Sequence, residues 1–192
     1  MKHRIMMLCR LCLFLLFLFI SGEVYAGGFY IGGGVSLVTL NSDHPSINDQ
    51  NGIGYLLFAG TKYDKWGIEL AATGGPSFST GPTPGIYYPE DSAEYTILDL
   101  GIKRYFHPKN TTNLSPWIGA GLGLHFIDWS TFYYNVDGYG YSISGGVDYQ
   151  IDPDWFIRGG AVYHDFKSDD FYEYGPYDDT ATQINLVVFF LF

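Results

Sequence analysis

From residue 27 to residue 192, large apolar side chains alternate with small or polar ones, and no stretch gathers enough consecutive apolar residues for a membrane-crossing helix. A repeat of two is the side-chain period of a strand. Eight such segments of roughly 10 to 14 residues can be marked, near 28–40, 52–63, 66–78, 93–106, 116–127, 138–151, 155–166 and 180–192. In the fifth, Ile118, Ala120, Leu122, Leu124 and Phe126 share one face, and Gly119, Gly121, Gly123 and His125 share the other. In the sixth, Tyr139, Tyr141, Ile143, Val147 and Tyr149 oppose Gly140, Ser142, Ser144, Gly146, Asp148 and Gln150. The expected fold class is all-β, with eight antiparallel strands running up and down.

The segment before residue 27 has a different character. Lys2, His3 and Arg4 precede an almost wholly apolar run from Ile5 to Ile20, and Val24-Tyr25-Ala26 supplies residues suited to cleavage, so residues 1–26 read as an export signal removed after Ala26. Residues 27–192 then form one domain. Both cysteines, Cys9 and Cys12, fall in the signal, so the exported domain needs no disulfide. Losing Lys2, Arg4, Arg10 and Glu23 moves the formal charge from −10 to −12, which excludes nucleic acid as a partner.

Hydrophobic residues make up 47% of the chain, yet mean hydropathy is only +0.04, so the apolar content is interleaved and not collected into runs. An alternating domain with this much apolar surface must turn it either inward around a ligand or outward toward lipid. The large apolar faces read above are opposed by glycine, serine and charged residues, which could not line a greasy pocket. The expectation is therefore a transmembrane barrel with its apolar face outward, closed because an open edge would leave backbone groups unsatisfied in hydrocarbon.

Connections alternate in length. Asp64-Lys65, 107–115 and Asp152-Pro153-Asp154 are short, whereas 41–51, 79–92, 128–137 and 167–179 are expected to be long loops. Trp66, Trp117 and Trp155 each begin the strand after a short connection, and Trp129 ends one, so all four are expected in interfacial aromatic girdles. By parity, Lys62, Glu69, Asp99, Lys103, Asp148 and Arg158 point into the barrel, three acidic and three basic, with Lys62–Glu69 and Asp148–Arg158 the expected pairs. A sealed polar core is the expectation, with a narrow ion-conducting pore as the alternative.

These features resemble the outer-membrane β-barrel family that includes the OmpA-type transmembrane domain and the small OmpX-like proteins. The stretches that carry the resemblance are 28–34 (GFYIGGG), 98–106 (LDLGIKRYF), 116–123 (PWIGAGLG) and 144–150 (SGGVDYQ) running on to 155–158 (WFIR). The resemblance implies a monomeric protein of the Gram-negative outer membrane, in contact with lipid and lipopolysaccharide and without a cofactor. In the last strand, positions 184, 186, 188, 190 and 192 are all apolar and the chain stops on Phe192, which resembles the signal read by the barrel-insertion machinery. Full OmpA-type chains continue into a peptidoglycan-gripping domain, so no cell-wall tether is expected here.

Some barrels of this size modify lipid A. In the deacylase that this barrel resembles in scale, a catalytic His is followed two residues later by a nucleophilic Ser. Here His164 is followed at that spacing by Phe166, with Asp165 and Ser168 nearby, so the motif is broken and no catalytic residue is expected. The long connections carry eleven acidic residues, from Asp43 to Asp179, against Lys167 alone. They also carry Tyr87, Tyr88, Phe132, Tyr133, Tyr134, Phe171, Tyr172, Tyr174 and Tyr177. Such rings are either an upper girdle or anchors for a cell-surface ligand. A structural or surface-interaction role is the expected function, and no metal site follows from the carboxylate spacing.

Overall fold

The computed structural model describes residues 27–42, 50–80, 91–106, 113–129, 135–169 and 176–192. They form eight strands: β1 (Gly27–Ser42), β2 (Gln50–Tyr63), β3 (Trp66–Thr80), β4 (Asp91–Tyr105), β5 (Leu114–Trp129), β6 (Asn135–Gln150), β7 (Trp155–Asp169) and β8 (Pro176–Leu191). Each pairs antiparallel with the next, and β8 closes on β1. Every strand thus has two neighbours, and no edge is left unpaired.

The register fixes the shape. Partners can be followed round the wall from Tyr30 through Gly60, Glu69, Gly101, Gly121, Ser142, His164 and Ala181. The path returns to β1 at Leu40, ten residues beyond its start. With strands about 4.8 Å apart and about 3.3 Å of rise per residue, that stagger tilts the strands by about 40° and leaves a radius of about 8 Å. Such an interior has room for side chains and little more.

The strands are longer than the alternation suggested, at 14 to 16 residues. Much of the four stretches expected as long loops is paired strand: Asp91, Asp128, Asp137, Asp169, Asp178 and Asp179 all lie within β4 to β8. The reason is physical. Hydropathy alternation marks only the part of a strand that meets an apolar medium, whereas backbone pairing continues wherever two strands still run side by side.

Along β8 the outward residues Ile184, Leu186, Val188, Phe190 and Phe192 are apolar, and beyond them Thr182, Thr180 and Asp178 are not. At this tilt the apolar stretch spans roughly 20–25 Å, close to the height of the apolar band on transmembrane barrels. Its lower border, at the end where β1 begins and β8 ends (the terminal end), carries exposed Tyr63, Trp66, Tyr149, Trp155 and Phe192. Arg104 lies 4.7 Å from the Trp66 ring centre, and Phe192 packs on Phe29 and Phe190.

Trp117 does not join them. It has the parity of the β5 glycines, points inward and is 3% exposed, against 50% for Trp66 and 46% for Trp155. Its place at a strand start resembles theirs, but parity decides the side. Trp129 ends β5 opposite Ala93, and its side chain lies outside the described residues.

The inner face is also less polar than expected. Tyr30, Leu56, Phe58, Phe156, Val187 and Phe189 form one buried cluster near the terminal end. Val38, Leu40, Tyr95, Ile97, Phe166 and Ala181 form a second near the far end. The large rings fit because facing inward positions are glycine. A Cβ on Gly146 would stand 2.4 Å from the Gly159 carbonyl oxygen and 2.7 Å from the Trp117 ring. Near the far end of β3 the register shifts between Gly74 and Ser77. Gly75 there takes φ of +90°, which only glycine adopts at little cost, and the Tyr55 ring covers this bulge from outside.

These contacts set a contrast. Gly146→Val should destabilise the barrel by about 3 kcal/mol or prevent folding, since neither backbone nor indole can give way. Gly159→Ala, whose Cβ would meet nothing within 4 Å, should stay within about 0.5 kcal/mol of the unaltered protein. Urea titrations of the detergent-refolded barrel, read by heat-modifiable migration, check both values.

Candidate functional site

The chemistry-bearing side chains converge inside the barrel, because every second residue of all eight strands points there. Nearest the terminal end is a network centred on Arg158 of β7. Its Nε and Nη2 donate to the two oxygens of Asp148 at 2.7 and 3.0 Å, and its Nη1 donates to Glu69 Oε2 at 2.5 Å. Nη2 also donates to the Tyr105 hydroxyl at 3.2 Å. The planar fork of Arg suits this bidentate arrangement. Lys103 Nζ donates to Glu69 Oε1 at 2.5 Å, Tyr30 Oη donates to Glu69 Oε2 at 2.9 Å, and Trp117 Nε1 donates to Asp148 Oδ1 at 2.9 Å.

Strands far apart in sequence meet here. Glu69 is on β3, Lys103 and Tyr105 on β4, Trp117 on β5, Asp148 on β6 and Tyr30 on β1. Aromatic faces enclose the guanidinium, with the Phe189 and Phe58 ring centres 4.8 and 5.0 Å from it. Such burial makes each charge depend on its partners, since an isolated ion would be costly there.

Of the six charges expected inside, Glu69, Lys103, Asp148 and Arg158 are therefore brought together. Lys62 is not paired with Glu69 as expected: it lies over the Tyr105 ring, 4.1 Å from the centre, while Glu69 binds Lys103 and Arg158. The directly opposed partner of Glu69 on β2 is Gly60, so Lys62 stands one inward position nearer the terminal end. Asp99 lies farther along the lumen, where Ser142 hydrogen-bonds it and its Oδ2 is 3.7 Å from His164 Nδ1.

Sequence reasoning missed the upper part of the site. His125 of β5 faces Asp179 of β8 across 3.4 Å, both fully enclosed, although Asp179 falls in a stretch whose sequence reads as a loop. Phe166 stands between the two histidines, edge-on to His125 at 4.3 Å and stacked on His164 at 5.2 Å. Continued parity along β8 from Asn185 through Gln183 to Asp179 was the available signal.

Alternation separates the residues of the broken catalytic motif. His164 points inward and is 1% exposed, whereas Asp165 points outward and accepts the Tyr141 hydroxyl at 2.7 Å. The Ser168 side chain lies outside the described residues. Among the described residues, no group of three or more His, Asp or Glu side chains is arranged to hold a metal ion. Between the lower network and the upper histidines lies a cavity of about 40 Å³, lined by Glu69, Asp99, Lys103, Arg158, His164 and smaller side chains.

With this geometry in place, comparison with known proteins identifies the fold. Residues 12–192 match the family model described as outer membrane protein beta-barrel domain. Neisserial surface protein A superposes with a TM-score of 0.67 at 14% identity, covering 88% of this chain and 100% of that one. OprG from Pseudomonas aeruginosa gives 0.62 at 16% identity, over 87% and 96% of the two chains. Ail, the attachment invasion locus protein of Yersinia pestis, gives 0.56 at 12% identity, over 88% and 100%. At these identities the likeness is one of fold. No curated protein matches by sequence.

Removing the guanidinium should cost far more than removing the ammonium beside Tyr105. Arg158→Met is expected to lower unfolding free energy by about 3–5 kcal/mol, because it leaves the buried Asp148 with the Trp117 N–H and no hydrogen-bonded cation, and Glu69 with Lys103 as its one ion-pair partner among the described residues. Lys62→Met should cost about 1 kcal/mol or less. Urea unfolding in one lipid or detergent system gives both values, and equal losses would mean that Lys62 shares the network.

Proposed function

The chain belongs to the outer membrane protein β-barrel domain family and resides in the bacterial outer membrane, and from that premise we propose that it is a structural and surface-interaction protein whose ligands meet its outer rim and not its lumen. The observation that carries this reading is the filled interior. A cavity of about 40 Å³ holds a few waters at most, and apolar clusters flank it toward both ends. The cavity that the described residues enclose has no room for a lipid substrate or a hydrated solute.

Catalysis on lipid A is disfavoured by the same geometry. His164 is walled inside the barrel with Phe166 stacked on it, while a lipid acyl chain runs along the outer wall. The protein is therefore read as a non-enzyme that needs no cofactor. In its assembly, residues 1–26 are read as the removed export signal, and the C-terminal strand ending at Phe192 as the element presented to the insertion machinery. Lipid and lipopolysaccharide contact a monomeric wall whose lower girdle is Tyr63, Trp66, Tyr149 and Trp155.

Rim chemistry narrows the ligand. Glu94 and Asp178 are exposed toward the far end, and the connections beyond add Asp43, Asp49, Glu90, Asp170 and Glu173, with tyrosines and phenylalanines among them. Ail has been solved in complex with the heparin analogue sucrose octasulfate. An acidic rim repels such a polyanion, so a basic or neutral cell-surface partner suits this chain better.

The long deletion that sequence alone would suggest, 167–179, would cut into the barrel, because β7 ends at Asp169 and β8 begins at Pro176. Replacing only residues 170–175 with Gly and Ser should leave heat-modifiable migration intact and reduce adhesion of expressing cells to a cationic surface at least several-fold. Undiminished adhesion, or steady single-channel conductance of the purified barrel in planar bilayers, would contradict the proposal.

A further inference from the structure

At mid-height the inward positions become small. Ala71, Ser144 and Gly160 leave open the cavity of about 40 Å³ between the Arg158 network below and the His164–Phe166 stack above. Four of the residues that line this space carry buried polar atoms with no hydrogen-bond partner among the described residues: both ring nitrogens of His164, Oδ2 of Asp99, Nε2 of Gln183 and Oδ1 of Asn185. His164, Gln183 and Asn185 are each more than nine-tenths buried. The Gln183 amide is oriented by Thr73, whose hydroxyl donates to its Oε1 at 3.2 Å, and its Nε2 is left without a partner among the described residues.

Buried polar groups of native proteins are almost always satisfied, by protein or by ordered water. We propose that this chamber is a built water site, in which a small cluster of long-lived waters bridges Asp99, His164, Gln183 and Asn185. A cavity of about 40 Å³ has room for such a cluster. The partners are mixed as water requires, with Gln183 donating, Asp99 and Asn185 accepting, and neutral imidazole supplying one group of each kind. The charges lining the space also balance, Glu69 and Asp99 against Lys103 and Arg158. A monatomic ion of either sign would upset that balance, whereas neutral water preserves it.

The waters would join the two halves of the interior. Above them are Asp99 and His164, with Phe166 and His125 beyond; below them is the Lys103–Glu69–Arg158–Asp148 network. Their place is thus structural glue between the Arg158 network and the His164–Phe166 stack.

Water-to-protein cross-relaxation on the deuterated barrel in lipid nanodiscs tests the site. Cross-peaks from water to the Gln183 and Asn185 side-chain amides should carry the sign of residence longer than about a nanosecond. Oxygen-17 relaxation dispersion of solvent water should show slow waters in the unaltered barrel and fewer in Gln183→Leu/Asn185→Leu, which keeps heat-modifiable migration. Should that variant not fold, the dispersion and the amide cross-peaks of the unaltered protein decide. Absence of long-lived water in the unaltered protein would overturn the proposal. So would a melting temperature that changes with the identity of the salt at fixed ionic strength, which would mark an ion in the chamber.

Discussion

Hydrocarbon offers backbone amides nothing to bond, and closure of the sheet follows from that single restriction. A strand crossing lipid must hand every N–H and C=O to a neighbour, so the first strand has to meet the last. Once eight strands close with a stagger of ten residues, their tilt and radius are no longer free. An interior about 8 Å in radius can be packed by side chains, and the question becomes which side chains pack it.

This chain answers with rings set against glycines and a buried ionic cluster. Tyr30 lies over Gly60, His125 over Gly138, and Trp117 over Gly146 and Gly160, so bulk from one strand fills the space vacated by its neighbours. Arg158 binds Glu69 and Asp148 while aromatic faces surround it. The ion pairs cannot be credited simply with stability, because desolvation offsets much of their attraction. What they supply is register. A slip of one residue would turn Arg158 out into lipid and leave two carboxylates inside without it.

The architecture was legible in the sequence because it is written in a period of two, and parity alone identifies Glu69, Lys103, Asp148 and Arg158 as inward. Harder to read was everything that depends on how far a strand continues. Asp179 looks like a loop acid because the apolar outward residues of β8 stop at Ile184, yet pairing runs on to Pro176 and buries it beside His125. Trp117 departs from expectation for a different reason. Its position at a strand start points to an interface, whereas its parity points inward, and parity decides the side. The contact of Glu69 with Arg158 is not legible in the sequence, since β3 and β7 meet only across the lumen of the closed barrel, whereas its contact with Lys103 follows from the β3–β4 pairing.

Face assignment is the claim under all of this, and labels on adjacent positions of β8 test it directly. The methyl groups of Leu186 and Val187, one exposed and one buried, can be compared by NMR on the deuterated, methyl-labelled barrel refolded into nanodiscs that contain nitroxide-bearing acyl chains. Strong paramagnetic broadening at position 186 and much less at 187 is the predicted result. Equal broadening at both positions, or the reverse order, would contradict an apolar wall turned to lipid around an enclosed ionic core.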